Sequence, residues 1–472
     1  MLNWLDLEFQ TRLQGLGREA AGEVARPGKE SLAHHLAAWR LERLAWTLQR
    51  ARNTAFYRRW PEISSELIAT LESEAQNAWP APTTALNPES LTDLTRALEE
   101  RLDAALRQLP MTDPGELAAN PDLFLAVSHS DVAGVVTIPT SGSTGQAKRI
   151  YSSEADLRNV EDFYYFGMRN LVNPVLGDRV ALLMSGDRPG SVGDMLTRAL
   201  GRWPLPCLVP GFPPLGRPEL INWLVDLLDW GPTCLVGVPA QVLALTRHSL
   251  GQKLAETTRS VLLSGDVAPR ALIEALEDEL PLAKVFLHYG QTEFGLGGAV
   301  ECRFHLGPHV READIIVEIV DPVGRPLQPG QIGEMILTSL SREAMPLIRY
   351  RTGDLGAFAL GVCPCGSVFR RIRTFGRLAD QIVWPDGSTL PLWKISEILY
   401  GLPGLVSFQA FRPQPPESRL KLQVTAKNGP NELTDRALHE LLAGRAWEIT
   451  YLEASLAQTH PTGKQILHQG PN

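Results

Sequence analysis

Thr140 is followed by Ser141, Gly142, Ser143, Thr144 and Gly145, and three residues further on stands Lys148. Hydroxyls and glycines at this density let the backbone fold tightly and aim N–H and O–H donors at phosphate oxygens, while the lysine adds charge. That is chemistry for a polyphosphate. The spacing departs from the P-loop pattern, in which Lys follows Gly directly and Ser or Thr comes next; here two residues separate Gly145 from Lys148, and Arg149 follows. A Ras-like or ATPase loop is therefore disfavoured, and a Ser/Gly surface turn is the other reading of this segment. A second set of residues suits a metal. Six residues separate Cys302 from His309, and one separates Cys363 from Cys365. Three thiols and an imidazole make a tetrahedral Cys3His set that fits Zn2+ and leaves no open position for water, so the site would be structural. The two pairs are some sixty residues apart and need the fold to bring them together. The alternative is buried or surface thiols with a solvated histidine. Cys207 and Cys234 lie in apolar runs and read as core.

The elements that must hold these residues are legible in outline. Of 472 residues, 44% are hydrophobic and 21% charged, an ordinary globular composition long enough for one large core and a smaller domain. Residues 1–130 form a helix-rich segment, with Leu32, Leu36 and Trp39, then Leu41, Leu44 and Leu48 at helical spacing. From Val135 onward, short apolar runs (VVTIPT, RVALLMSG, CLVGVP, SVLLSG, KVFLHYG) alternate with helical stretches such as LINWLVDLLDW and APRALIEALEDEL. The fold class is α/β, with a mostly parallel sheet flanked by helices. ADIIVEIVD and GEMILTSL, joined by a turn-rich link, predict an antiparallel subdomain. Residues 376–472 predict a separate α+β domain: WPDG as a hairpin, the helix PLWKISEILY, strands near VSFQAF and KLQVTA, and the helix LTDRALHELLAG. The large domain is then 1–375. A formal charge of −8 argues against nucleic-acid binding through a global positive field. No apolar run approaches the ~18 residues of a membrane span, and MLNWLDLEFQTRLQ lacks the order of a signal peptide. Five cysteines are too few for a disulfide framework, and the expected compartment is the cytoplasm.

TSGSTGQAK resembles the signature loop of the adenylate-forming superfamily of acyl-CoA synthetases, peptide-synthetase adenylation domains and luciferases. The same order brings Tyr289-Gly290-Gln291-Thr292-Glu293, similar to the family's Y-G-x-T-E, Tyr350-Arg351-Thr352-Gly353-Asp354, similar to Y-R-T-G-D, and Gly376-Arg377 with Asp380, similar to G-R-x-x-D. ECRFHLGPHV, GEMILTSLSREAMPLIRYRTGD, CPCGSVFRRI and the upstream NTAFYRRW and ANPDLFLAV resemble the phenylacetate-CoA ligase-like branch. The resemblance implies a large N-terminal adenylate-forming domain with a small mobile C-terminal domain. It implies that Ser141, Ser143, Thr144 and Lys148 cradle the β- and γ-phosphates of ATP, and that Tyr289 lies against adenine. Thr292 would contact the α-phosphate and Glu293 would hold Mg2+, which prefers carboxylate and phosphate oxygens. Asp354 would accept both ribose hydroxyls, Arg377 would reinforce them, and Ser264-Gly265-Asp266 would border the adenine. Lys464, within THPTGK, would reach the acyl carboxylate and α-phosphate. Segments similar to E-C…G-x-H and C-P-C-G occur in the same branch, some of whose members bind zinc.

One departure stands at the hinge. The residue two places after the Arg of G-R-x-[DK]-D is Ala379, and only Asp380 matches. A hinge need not be charged, so rotation is not forbidden, but the second half-reaction is left open. The resemblance implies ATP-dependent adenylation of a small-molecule carboxylate with release of pyrophosphate, followed by transfer to CoA. Adenylyl transfer to a non-carboxylate acceptor, as in deazaflavin-adenylating synthetases, and a zinc-stabilised nucleotide-binding partner protein are the alternatives. The acyl pocket is expected between the phosphate loop and YGQTE, where Asp187, Arg188, Asp194, Arg198 and Trp203 are surface ions or contacts to a polar acyl chain. The helical N-terminal segment can also support a homodimer.

Overall fold

Leu32, Leu36, Trp39, Leu41, Leu44 and Leu48 are all buried, on one helix spanning Lys29–Ala51. The computed structural model describes residues 4–16, 28–79, 88–138, 148–186, 189–413, 419–427, 429–452 and 467–468. The chain forms two compact units, each discontinuous in sequence. The first comprises Met1–Asn170, Gly290–Thr352 and Gly356–Arg373; the second comprises Leu171–Tyr289, Gly353–Leu355 and Thr374–Asn472.

In the first unit, the helix Lys29–Ala51 packs against Ser65–Ala78 and Pro88–Gln108. Ser64 starts the second of these by accepting the Leu67 amide, the usual work of a serine N-cap. The N-terminal helix Trp4–Gly15 is anchored by charge as well as by Leu5, Phe9 and Leu13. Arg12 reaches Asp314 at 2.8 Å and Glu8 at 2.5 Å, and Arg311 also donates to Glu8. Glu8, Arg311 and Asp314 are buried and paired, as burial of charge requires, and Arg12 is partly buried. The predicted antiparallel pair is present, Ile315–Val320 against Gly333–Ser339, with Val317 opposite Leu337.

One expectation is corrected here. VVTIPT is not a strand of the parallel sheet: Gly134–Ile138 pairs antiparallel with Lys148–Ser152, Val136 facing Ile150. An apolar β run does not itself encode its partner, and the residues beyond the glycine loop, KRIYS, supply the nearest one.

In the second unit the parallel strands stand in the order Cys207–Leu208, Val180–Leu183, Cys234–Gly237, Ser260–Leu263, Lys284–Tyr289. Three of them are buried at every position, as strands covered on both faces must be. Cys234 is wholly buried, whereas Cys207 is half-buried. WPDG closes the hairpin of Gln381–Val383 and Thr389–Pro391, with the Trp384 amide on the Ser388 carbonyl at 3.0 Å. Beyond it come the helix Leu392–Tyr400, a four-stranded mixed sheet ordered Trp447–Leu452, Leu420–Ala426, Leu405–Phe411, Leu467–His468, and the helix Glu432–Leu441. This C-terminal stretch shares one apolar cluster with the parallel strands and their helices. The helix Arg270–Glu279 has no cap of its own and takes one from Glu397, whose carboxylate accepts the Arg270 amide at 3.0 Å and the Ala271 amide at 2.9 Å.

Candidate active site

Lys148 opens the second strand of the hairpin, so its side chain leaves the backbone where the glycine loop ends. Its ammonium stands 2.7 Å from Glu293 Oε1 and 2.9 Å from the Tyr350 hydroxyl. The Tyr350 hydroxyl in turn donates to the same Glu293 oxygen at 3.0 Å. Glu293 sits on a single 3-10 turn, Thr292–Phe294, and is buried. Burial alone would raise its carboxyl, but the Lys148 ammonium and the hydrogen bonds to it hold the group below the ordinary range. Charge-bearing groups separated by 145 residues in sequence thus meet at one point, a cation suited to phosphate and a carboxylate suited to a divalent ion. The hairpin is held from behind. Ser153 and Asp156 form a capping box, and the Asp156 carboxylate accepts the amides of Glu343 and Ala344. Arg342 donates to the Tyr151 carbonyl at 2.6 Å.

The second unit presents a different constellation. Tyr289 ends its strand and donates its hydroxyl to Asp354 Oδ2 at 3.0 Å, while Arg377 Nε stands 3.2 Å from Asp354 Oδ1. Both carboxylate oxygens are thereby oriented. Ser264 directly follows the neighbouring strand and pairs with His288 Nδ1 at 2.9 Å. His288 is wholly enclosed, and loss of water pushes its imidazole down to about 4, so it is neutral at pH 7. Gly265 adopts φ +86°, a conformation that the turn Ser264-Gly265-Asp266 needs and that a side chain would resist. Asp266 folds back on the Val267 amide at 2.8 Å. Gly290 follows Tyr289 directly but belongs to the first unit. At the hinge position, the Ala379 carbonyl accepts from Arg412 at 2.5 Å and Asp380 accepts the Leu467 amide at 3.3 Å.

Cys302, His309, Cys363 and Cys365 come together in the first unit, their ligand atoms within 4.8 Å of one another. The Cys302 and Cys363 sulfurs are 3.6 Å apart, and Cys365 Sγ is 3.4 Å from His309 Nε2. Sulfurs bound tetrahedrally at ~2.3 Å from one ion stand roughly 3.8 Å apart, so the set has the dimensions of a zinc site. His309 Nδ1 is 2.8 Å from the Phe369 carbonyl, which fixes the tautomer that turns Nε2 toward the thiols. Hydrogen bonds from the Cys302 thiol and from His309 lower the Cys365 thiol.

Thr140, Ser141, Gly142, Ser143, Thr144, Gly145 and Lys464 lie outside the described residues, as do Asp187 and Arg188. Asp194 is occupied within its own helix, accepting the Gly190 amide and pairing with Arg198. Tyr350, within Y-R-T-G-D, and His288 carry no sequence signal of these roles, because both depend on contacts that residue spacing does not encode.

No helix among the described residues is long and apolar enough to cross a membrane. The chain is 35% identical to the phenylacetate-coenzyme A ligase of Thermus thermophilus over 25% of this chain and 27% of that one. It is 26% identical to the Aromatoleum evansii enzyme of the same name over 80% and 78%. Over the first three curated relatives, the aligned segments span between 22% and 51% of the relative's length. A 2-hydroxyisobutyryl-CoA ligase structure superimposes with a TM-score of 0.69 at 19% identity, covering 91% of this chain and 88% of that one, and at that identity speaks to the fold. Residues 37–341, well over half of the chain, match the AMP-binding enzyme family, and the chain belongs to it.

Proposed function

We propose that the chain is an AMP-forming acid–CoA ligase. A substrate carboxylate oxygen attacks the α-phosphorus of ATP, pyrophosphate leaves, and the CoA thiol then displaces AMP from the acyl carbon. The observation that carries this reading is the meeting of Lys148 with Glu293, a phosphate-binding cation beside a carboxylate. Lys148 and the hydroxyl-rich residues Thr140 to Thr144 bind the β- and γ-phosphates, and Thr292 contacts the α-phosphate. A Mg2+ held by Glu293 and phosphate oxygens would neutralise charge on the departing pyrophosphate. Asp354, aligned by Tyr289 and Arg377, accepts the ribose hydroxyls, and the turn at Ser264, Gly265 and Asp266 with Gly290 borders the base. Lys464, on the C-terminal domain 376–472, approaches the carboxylate in the adenylation step. Cys302, His309, Cys363 and Cys365 would hold a Zn2+ with a structural task, since all four ligands would come from protein. The cytoplasm, where thiols stay reduced, suits that cluster.

ATP–pyrophosphate exchange over a panel of aromatic, aliphatic and polar carboxylates tests the first half-reaction. Exchange that depends on one acid names the substrate class, and thioester formation after CoA is added shows that Ala379 permits the second. Absence of exchange with every acid, in a chain that binds ATP, rejects carboxylate activation.

A further inference from the structure

The strand Tyr350–Phe358 begins directly after an unusual backbone. Arg349 has φ +43°, in the left-handed region that side-chain-bearing residues seldom occupy. Such a conformation persists only where its surroundings over-determine it. Here they do. The Arg349 amide donates to Thr338 Oγ1 at 2.9 Å, its guanidinium forks onto Glu318 at 2.9 and 3.0 Å, and Nη1 donates to the Leu109 carbonyl at 2.8 Å. Thr112 clamps both sides: its hydroxyl donates to the Ile348 carbonyl at 2.6 Å, its amide to the Arg349 carbonyl at 3.0 Å, and its carbonyl accepts the Arg351 amide at 3.0 Å. Tyr57, within NTAFYRRW, completes the buttress, its hydroxyl accepting the Ile348 amide at 3.0 Å and pairing with Thr112 Oγ1 at 2.8 Å.

These contacts fix the backbone on either side of Tyr350, whose phenol is buried and lies against both Lys148 and Glu293. We propose that Tyr350 is a positioning residue for the metal–nucleotide site: it aims the Glu293 carboxylate and keeps a hydrogen bond on it when Lys148 turns from Glu293 to the phosphates. The inference rests on the reading of Glu293 as the Mg2+ carboxylate. Without the phenol, departure of Lys148 leaves Oε1 with one partner fewer at a largely buried carboxylate, and an anion so stripped is poorly held. The phenol does not touch the reacting atoms in this scheme; it acts through Glu293.

The test compares full-length wild type with Tyr350→Phe by calorimetric titration of ATP in excess Mg2+ and of ATP in EDTA, with electron paramagnetic resonance of Mn2+ in the ATP complex. Wild type that binds no ATP in either buffer defeats the reading of the site itself. Given wild-type binding, Y350F is expected to weaken Mg·ATP about tenfold while metal-free ATP changes less than about twofold. The Mn2+ spectrum should broaden, and Y350F should add nothing to the loss already caused by E293Q, because both act at one carboxylate. Equal weakening with and without metal, no weakening of Mg·ATP, or additive losses in the double variant would each overturn the proposal. Should Y350F not fold, Thr112→Val leaves the phenol in place but cuts the buttress, and it must show the same metal-selective loss; a uniform loss overturns the proposal equally.

Discussion

Asp354 shows how one side chain can be prepared for a ligand by its neighbours. Tyr289 holds one oxygen and Arg377 the other, so the carboxylate plane is set. Asp354→Asn preserves size but replaces one accepting oxygen with a donor, so only one oxygen remains to accept from a ribose hydroxyl. If Asp354 accepts the ribose hydroxyls as proposed, those contacts are equal in ground and transition states, so the KM for ATP in pyrophosphate exchange should rise about tenfold with kcat nearly unchanged. A fall in kcat at constant KM would remove Asp354 from ribose binding. A second residue-level prediction concerns pH. His35 is buried, stacked on Trp79 with ring centroids 5.2 Å apart, and burial, followed by the charge of neighbouring His34, brings it down to about 4. The unfolded imidazole titrates near ~6.5. The neutral folded form therefore contributes its full stability above that value and loses it as pH falls from 6.5 toward 4. Thermal midpoints should decline more steeply over that window for wild type than for His35→Gln; parallel curves would show that His35 is not responsible.

Elements decide which distant residues meet, and they divide what could be read in advance from what could not. The Cys3His set was legible because each half is local. Cys302 and His309 bracket one tight turn, in which the Gly307 amide donates to Glu301, and Cys363 and Cys365 share another, closed by the Gly366 amide on the Cys363 carbonyl. Protein purified without added metal should carry about one zinc per chain, and Cys363→Ser should lose it together with several degrees of thermal midpoint, as measured by elemental analysis and calorimetry. Retained stability in a zinc-free C363S chain would make the cluster accidental. The buried strands at 180, 234 and 260 were equally legible, being uninterrupted apolar runs followed by small residues. The pairing of Gly134–Ile138 is not legible in the sequence, because periodicity reports burial and not which strand lies alongside. Arg349 was beyond reach for a related reason: its left-handed backbone is imposed by Glu318, Thr338 and Leu109, none of them near it in sequence.

At the scale of the molecule, the question is what residues 376–472 do to the rest of the second unit. The family resemblance describes them as a mobile domain that turns about position 379. Their packing here is extensive. Ile395, Leu399, Tyr400, Leu405 and Phe408 belong to the same buried cluster as Leu245, Leu254, Leu272 and Leu276. Arg247 forms an ion pair with Glu279 at 3.0 Å and also donates to the Leu405 carbonyl, and Glu397 supplies the only side-chain cap described at the start of helix Arg270–Glu279. Rotation must therefore uncover apolar surface and leave two buried or terminal polar sets to find water, at roughly 25 cal/mol for each Å2 exposed and about 1 kcal/mol for the cap. A chain ending at residue 375 undergoes that loss permanently. It should bind a hydrophobic dye, melt at least about 10 °C below the full chain and aggregate on heating, all measurable by dye fluorescence and calorimetry. If it instead melts with the full chain and binds no dye, residues 171–289 are sufficient for their own core, and the contacts through Glu397 and Arg247 are those of a lid resting on a surface already complete.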